Sequence, residues 1–243
     1  MLPFLLLLPL YFEIRKTDNK VMRNIAVILA GGVGSRMGGP LPKQFLACQG
    51  RLLIEYAVDA FDRHPLVDEV AVVVHPDYTD YMEKVVRRNG WVKVRQLLKG
   101  GAERYLSSLA AIRAYEGESD LNLLLHDAAR PWVSENIISR VVEALAMHEA
   151  VGVAIPSTDT VLEVEEGEVR AIPERRRMWL AQTPQAFRLP LIAEAYRRAM
   201  QDPDFMATDD CGVVRKYMPE VEIHVVEGDK GNTKITYAED IVS

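Results

Sequence analysis

The chain has 243 residues, 49% apolar and 26% charged, a balance that suits an ordinary globular protein of one large α/β domain or two small ones. Its net charge of −6 excludes general nucleic-acid binding, which takes a basic excess, so an anionic ligand has to be held by local cations. Two cysteines, Cys48 and Cys211, make neither a disulfide framework nor a metal cluster, and a reducing, cytoplasmic setting fits them.

Leu2 to Phe12 is strongly apolar, but it contains Pro3 and Pro9 and is too short to span a bilayer. It lacks the basic n-region and the small-residue cleavage site of a signal peptide. Met22 stands just before the first strand-like run, where a compact domain would begin. Residues 1–21 are therefore expected to be an over-extended start outside the fold, and 22–243 a single domain. The alternative for 1–21 is a membrane anchor.

Ile25 to Leu29 reads as a buried strand. It runs into Ala30-Gly31-Gly32-Val33-Gly34-Ser35-Arg36-Met37-Gly38, followed by Pro42-Lys43-Gln44. A glycine-rich turn after a strand lets backbone N–H groups approach a polyphosphate, and Arg36 and Lys43 add two fixed positive charges. The spacing is not that of a P-loop, which needs four residues between its glycines and then Gly-Lys-Ser/Thr. A dinucleotide fingerprint would want glycine where Met37 stands. The plain alternative is a glycine turn with incidental surface cations.

Leu52 to Phe61 has helical spacing, and Val70 to Val74 is an apolar run closed by His75-Pro76, as in a strand buried on both faces. Tyr78 to Arg88 reads as an amphipathic helix, Val92 to Leu97 as a strand, Leu106 to Tyr115 as a helix and Leu121 to Leu125 as a third buried strand. Ser134 caps a helix running to about His148, and Val151–Ile155 and Val221–Val226 supply further strands. Such alternation implies an α/β fold with a mostly parallel sheet covered by helices on both sides. One region breaks the pattern. Val161 to Val164 and Val169 to Ile172 flank the turn-like Glu165-Glu166-Gly167-Glu168, and a hairpin leaving such a sheet has to pack on something.

Open α/β sheets bind ligands at the carboxyl ends of their strands, and polar clusters recur there. The third buried strand ends in His126-Asp127-Ala128-Ala129-Arg130-Pro131, and Val151–Ile155 in Pro156-Ser157-Thr158-Asp159-Thr160. The last strand ends in Gly228-Asp229 and continues to Lys234-Ile235-Thr236. Each cluster has a plain structural reading. Asp127 and Arg130 could be a local ion pair, and Gly228 to Lys234 a surface turn. Gln182-Thr183-Pro184-Gln185 could be a rigid turn before a helix at Leu189, Gly100-Gly101 a helix entrance, and Thr208-Asp209-Asp210 a helix N-cap. Their co-occurrence in one chain favours a site.

In this order the motifs resemble the 2-C-methyl-D-erythritol 4-phosphate cytidylyltransferases of the non-mevalonate isoprenoid pathway, and their relatives that use ribitol 5-phosphate. The resemblance runs from the loop of residues 30–44 through Gly100-Gly101-x-x-Arg104-x-x-Ser107 and His126 to Pro131. It continues through Asp159-Thr160, Gln182 to Gln185, Thr208 to Asp210 and Lys234 to Thr236, over about residues 25–240. The form of the His126–Pro131 stretch leans toward the methylerythritol enzymes. The resemblance implies a three-layer, Rossmann-like nucleotidyltransferase fold. Its hairpin, at about residues 157–178, would be a protruding dimerisation arm that interlocks with its copy in a homodimer.

The resemblance also implies roles. Ala30, Gly31, Gly32 and Gly34 would form the nucleotide loop, with Arg36 and Lys43 on the triphosphate, stabilising charge at the α-phosphorus. Arg175 and Lys234 would position the acceptor's phosphate. Asp127, Arg130, Thr160 and Thr183 would line the acceptor pocket or the ribose, and Gly101 and Ser107 would lie near the cytosine base. Ala102 departs from the acidic residue of many relatives, and three arginines at 175–177 leave that register open. Relatives usually continue a helix past Asp240-Ile241, so a truncated C-terminus is expected.

The implied reaction joins CTP to a sugar-alcohol phosphate, with Mg²⁺ bridging phosphate oxygens, no protein metal ligands, and neither nucleic acid nor membrane as partner. The nucleophile is already an anion near neutral pH, so cations and positioning matter more than a strong base. The alternatives are a ribitol 5-phosphate cytidylyltransferase and a nucleotide-binding protein that does not turn over. A nicotinamide-dependent oxidoreductase is weakened by Met37.

Overall fold

The computed structural model describes residues 22–32, 41–237 and 240. The expectation for residues 1–21 and the positions Gly34 and Arg36 lie outside them. The strands β1 (Arg23–Ala30), β2 (Glu69–Val74), β3 (Val94–Lys99), β4 (Leu121–Asp127), β5 (Ala150–Pro156), β8 (Trp179–Arg188) and β9 (His224–Glu227) form one sheet of seven. Between β5 and β8 lies a separate hairpin of β6 (Glu163–Glu165) and β7 (Glu168–Ala171). The order across the large sheet is β9-β5-β8-β4-β1-β2-β3. All its neighbours pair in parallel except β8, which runs antiparallel to both β4 and β5.

The central strands are mostly apolar because both of their faces are covered, and the buried Asn24 and Asn122 near their starts pair with one another, Asn122 donating to Asn24 Oδ1 at 2.8 Å. In β1, Ala26, Ile28 and Ala30 join α1 (Leu53–Asp62), α2 (Thr79–Asn89) and α4 (Glu135–Ala144) in one core, while Ile25, Val27 and Leu29 pack with α3 (Arg104–Ala114), α5 (Leu189–Ala199) and α6 (Asp210–Tyr217) on the other face. This is the period-two alternation of a strand between two helical layers. Each fully buried Val, Leu or Ile contributes about 1.5–3 kcal/mol, and the core repeats this across β1, β2, β4 and β5. No helix among the described residues is long and apolar enough to cross a membrane.

Ser134 caps α4 as expected, its hydroxyl accepting from Ile137 N–H, but the helix ends at Ala144, short of His148. The arm hairpin turns through Glu166 (φ 53°) and Gly167 (φ 81°), two successive left-handed residues that match the right-handed twist of the flanking strands. Gln182 to Gln185 is not a turn. It lies within β8, and the ladder to β5 breaks between Gln182 and Ala186, where Pro184 has no N–H to give. The last strand begins at His224, three residues later than Val221.

Candidate active site

The carboxyl ends of β1, β4, β5 and β9 converge at one end of the sheet, and the antiparallel β8 brings its amino-terminal half to the same end. The loop after β1 starts under a fixed constraint. Gln44 donates from Nε2 to the Ala30 carbonyl at 2.6 Å and to that of Gly32 at 3.0 Å. A Cβ on Gly31 would sit 2.4 Å from Ser107 Oγ, and one on Gly100 would sit 2.8 Å from the same oxygen. Two loops thus meet backbone to backbone, with the buried Ser107, on the first turn of α3, wedged against both. Gly101 is equally constrained, because its Cβ would meet that of Leu106 at 2.4 Å.

Beyond this contact lies a cluster of charges. Asp127, at the tip of β4, accepts from Arg104 Nε at 2.9 Å through Oδ1 and from Lys234 Nζ at 2.6 Å through Oδ2. Arg104 also reaches Asp210, Nη1 to Oδ2 at 2.7 Å, and Tyr196 donates its hydroxyl to the other oxygen of Asp210 at 2.6 Å. Burial would raise the pKa of Asp127, but Arg104 and then Lys234 outweigh it and hold the carboxyl far below the usual range. Burial likewise disfavours the charge on Arg104, and Asp210 and Asp127 more than restore it.

The remaining groups are held by backbone. Arg130 donates from Nη1 to the Asn232 carbonyl at 2.7 Å and from Nη2 to that of Ala181 at 3.1 Å, and its pKa is lowered by burial. The local ion pair between Asp127 and Arg130 is therefore not what holds this loop: Asp127 pairs with Arg104 and Lys234. The amide of Asn232 donates to the Thr183 carbonyl at 2.8 Å and to Gln182 Oε1 at 3.2 Å. Thr183 Oγ accepts from Asp127 N–H at 3.1 Å and contacts His126 Nδ1 at 3.0 Å. A cleft of about 880 Å³ bounded by Arg130, Gln182, Asp229 and Lys234 opens beside a recess of about 230 Å³, bounded by Arg104, Asp127, Thr183, Gln185 and Thr208.

The sequence-derived residues divide into groups. Asp127, Arg130, Thr183 and Lys234 come together at the cleft and recess, and Lys43 reaches the neighbouring segment, donating from Nζ to the Ile235 carbonyl at 3.0 Å. Gly31 and Ser107 lie in the loop contact with Gly100, Ala30 and Gly32 are held through their carbonyls by Gln44, and Gly101 packs on Leu106. Thr160 and Arg175 do not join the cluster in one chain. Both are exposed at the base of the arm, where Arg175 Nη1 lies 3.4 Å from the Thr158 carbonyl. Sequence reasoning assigned no role to Arg104, Asn232 or Gln185, and none beyond a helix cap to Asp210. The cap is Asp209, which accepts from Gly212 N–H at 2.7 Å; Asp210 turns inward and is fully buried. A doubled acid at a helix start, one residue to cap and one to spare, was the available signal.

A cleft at the strand ends of a doubly wound sheet, edged by Arg130, Lys230 and Lys234, together with a glycine-rich loop contact after the first strand, suits a nucleotidyltransferase. Comparison with known proteins narrows the class. The sequence model described as 2-C-methyl-D-erythritol 4-phosphate cytidylyltransferase matches residues 24–243, and the chain belongs to that family. It is 45% identical over 225 residues to the enzyme of that name from Thermobifida fusca, covering 90% of each chain. It is 38% identical over 222 residues to a bifunctional ribulose 5-phosphate reductase/CDP-ribitol pyrophosphorylase from Haemophilus influenzae, covering 90% of this chain and 47% of that one. The crystal structure of 4-diphosphocytidyl-2C-methyl-D-erythritol synthase from Anaerococcus prevotii superposes with a TM-score of 0.80 at 29% identity, covering 91% of this chain and 93% of that one.

Proposed function

We propose that the protein transfers CMP from CTP to 2-C-methyl-D-erythritol 4-phosphate, giving 4-diphosphocytidyl-2-C-methylerythritol and pyrophosphate, a step of isoprenoid biosynthesis. The observation that carries this reading, beside family membership, is the cluster of Arg104, Arg130 and Lys234 around Asp127 at the strand ends. A phosphate oxygen of the acceptor attacks the α-phosphorus in line; a new P–O bond forms, the bond to the β-phosphate's bridging oxygen breaks, and pyrophosphate leaves with its electron pair. Two anions have to be brought together, and cations at fixed positions do this. Lys234 and Arg130 face the acceptor, while Lys43 and Arg36 are assigned to the triphosphate. Thr183 and Asp127 line the acceptor side.

Among the described residues no group of three or more His, Cys, Asp or Glu could hold a metal, and Asp127 and Asp210 are spent on Arg104 and Lys234. These residues make no cage for Mg²⁺. Mg²⁺ would therefore be carried by the triphosphate, where it would supply charge neutralisation that these residues do not. The arm supports a homodimer: Leu162, Val164, Val169 and Ile172 are all exposed, more apolar surface than an isolated two-stranded hairpin can leave in water to advantage. Seated on a second copy, the arm would carry Thr160 and Arg175 toward an acceptor site, with the cytoplasm as the setting.

The test is pyrophosphate release with CTP and Mg²⁺, run in parallel with methylerythritol 4-phosphate and ribitol 5-phosphate. Release with the first alone is expected. The likeness to the Haemophilus pyrophosphorylase sustains the second reading, for which release with ribitol 5-phosphate alone would speak. Silence with both would leave a nucleotide-binding protein.

A further inference from the structure

Arg104 belongs to the cluster but is assigned to neither substrate, and it joins the charges of the cluster to one another. It is the first residue of α3, so its position is set by the turn that also seats Ser107 against the glycine loop. Its guanidinium is used on opposite edges, Nε on Asp127 and Nη1 on Asp210. Nη2, the fork partner of Nε, is buried and has no hydrogen-bond partner among the described residues. A guanidinium placed only to neutralise Asp127 would grip it with both donors of one edge. Leaving a buried donor idle is unfavourable. Here it accompanies a bridge between acids on two different elements, β4 and α6. The far end of the bridge is firm, since Asp210 also holds Tyr196 and its N–H donates to Gln185 Oε1 at 2.9 Å.

We infer that Arg104 is a positioning residue for the acceptor: by occupying one oxygen of Asp127 it presents the other to Lys234 and fixes that ammonium at the recess. This rests on the reading in which Lys234 holds the acceptor phosphate. Three cations, Arg104, Arg130 and Lys234, stand against the three carboxylates Asp127, Asp209 and Asp210, so the cluster is balanced. Without Arg104 the cluster is left with a net negative charge and its pull on a phosphate dianion falls. A lysine restores the charge but, as a point donor, does not span both acids.

The test is steady-state pyrophosphate release, varying CTP and acceptor separately, for wild type, Arg104→Lys, Arg104→Met and Asp127→Asn with and without Arg104→Met. Thermal melts accompany each variant. Arg104→Met should raise KM for the acceptor roughly 10- to 100-fold, the equivalent of one charged hydrogen bond, and leave KM for CTP within about threefold. Arg104→Lys should fall between. Because the effect passes through Asp127, adding Arg104→Met to Asp127→Asn should cost less than about threefold more. Equal rises in both KM values, or full multiplication of effects in the double variant, would overturn the inference. Should Arg104→Met fail to fold, Arg104→Lys reads the same KM split. A silent wild type would instead refute the proposed function, and with it the premise used here.

Discussion

His126 offers a test of the site's electrostatics that is independent of substrate. It is fully buried at the end of β4, with Nε2 2.9 Å from the Arg130 carbonyl and Nδ1 3.0 Å from the Thr183 hydroxyl. A carbonyl only accepts, so Nε2 carries the proton, Nδ1 accepts from Thr183, and the ring is neutral. Burial is the main cause of a pKa lowered from 6.5 to about 4. As acid is added, the unfolded chain takes up a proton near pH 6.5, while the folded one resists until about pH 4. This contribution to stability is therefore complete above pH 6.5 and is lost progressively down to about pH 4. At roughly 1.4 kcal/mol per pH unit, the interval from 6.5 to about 4 is worth about 3 kcal/mol. The measurement is urea unfolding of wild type and His126→Gln at about pH 7, 5.5 and 4.5; glutamine keeps a donor and an acceptor but does not titrate. Wild type should lose about 2–3 kcal/mol more than the variant over that range. The difference cancels His64, whose pKa is also lowered by burial. Parallel stability curves for the two proteins would refute a neutral, buried His126.

Three further outcomes are expected. Lys43→Ala should lower kcat by about 10²–10³, the usual cost of one transition-state charge partner, and near-normal turnover would remove Lys43 from the mechanism. Gly31→Ala should raise KM for CTP by about tenfold or more, because its Cβ would stand 2.4 Å from Ser107 Oγ; a second change, Ser107→Gly, should recover part of the loss, and no recovery would mean that the two loops do not meet there. Val164→Glu with Val169→Glu, which charges the exposed face of the arm, should give a monomeric mass by light scattering, whereas a monomeric wild type would dismiss the homodimer.

Most of the layered core was legible because the signal is local. Ile25–Leu29 and Val70–Val74 are apolar at every position and Leu121–Leu125 at all but Asn122, a pattern that suits strands between two helical layers. The arm's turn was legible for the same reason, with Glu166-Gly167 marking it. β8 was not. Its centre reads Gln-Thr-Pro-Gln, and those polar side chains are buried because Asn232, Asp229, Asp209 and His126 meet them from distant parts of the chain. In the candidate site, the motifs named Asp127, Arg130, Thr183 and Lys234, which the fold brings together around one recess. No motif named the pairing of Arg104 with Asp210, since it joins α3 to α6 across the fold and each residue by itself resembles an ordinary helix start.

The reversed direction of β8 has a mechanical consequence. Seven residues, Ile172 to Met178 with a 3-10 turn at Arg175–Arg177, separate the hairpin from Trp179, and the chain then passes into Ala181, whose carbonyl accepts from Arg130, and Gln182 and Thr183, which wall the cleft and recess. The strand that carries the arm is also the wall of the pocket. The connector is tied down by Arg177 N–H on the Glu174 carbonyl, Met178 N–H on that of Arg175 and Ser157 N–H on that of Met178, so force applied to the arm is delivered as a tug on the pocket wall. Insertions in the hairpin tip, beyond Glu165 and Glu168, should be tolerated freely, while a single residue added between Arg177 and Ala181 would shift the wall's register by one and turn its polar side chains to the wrong face.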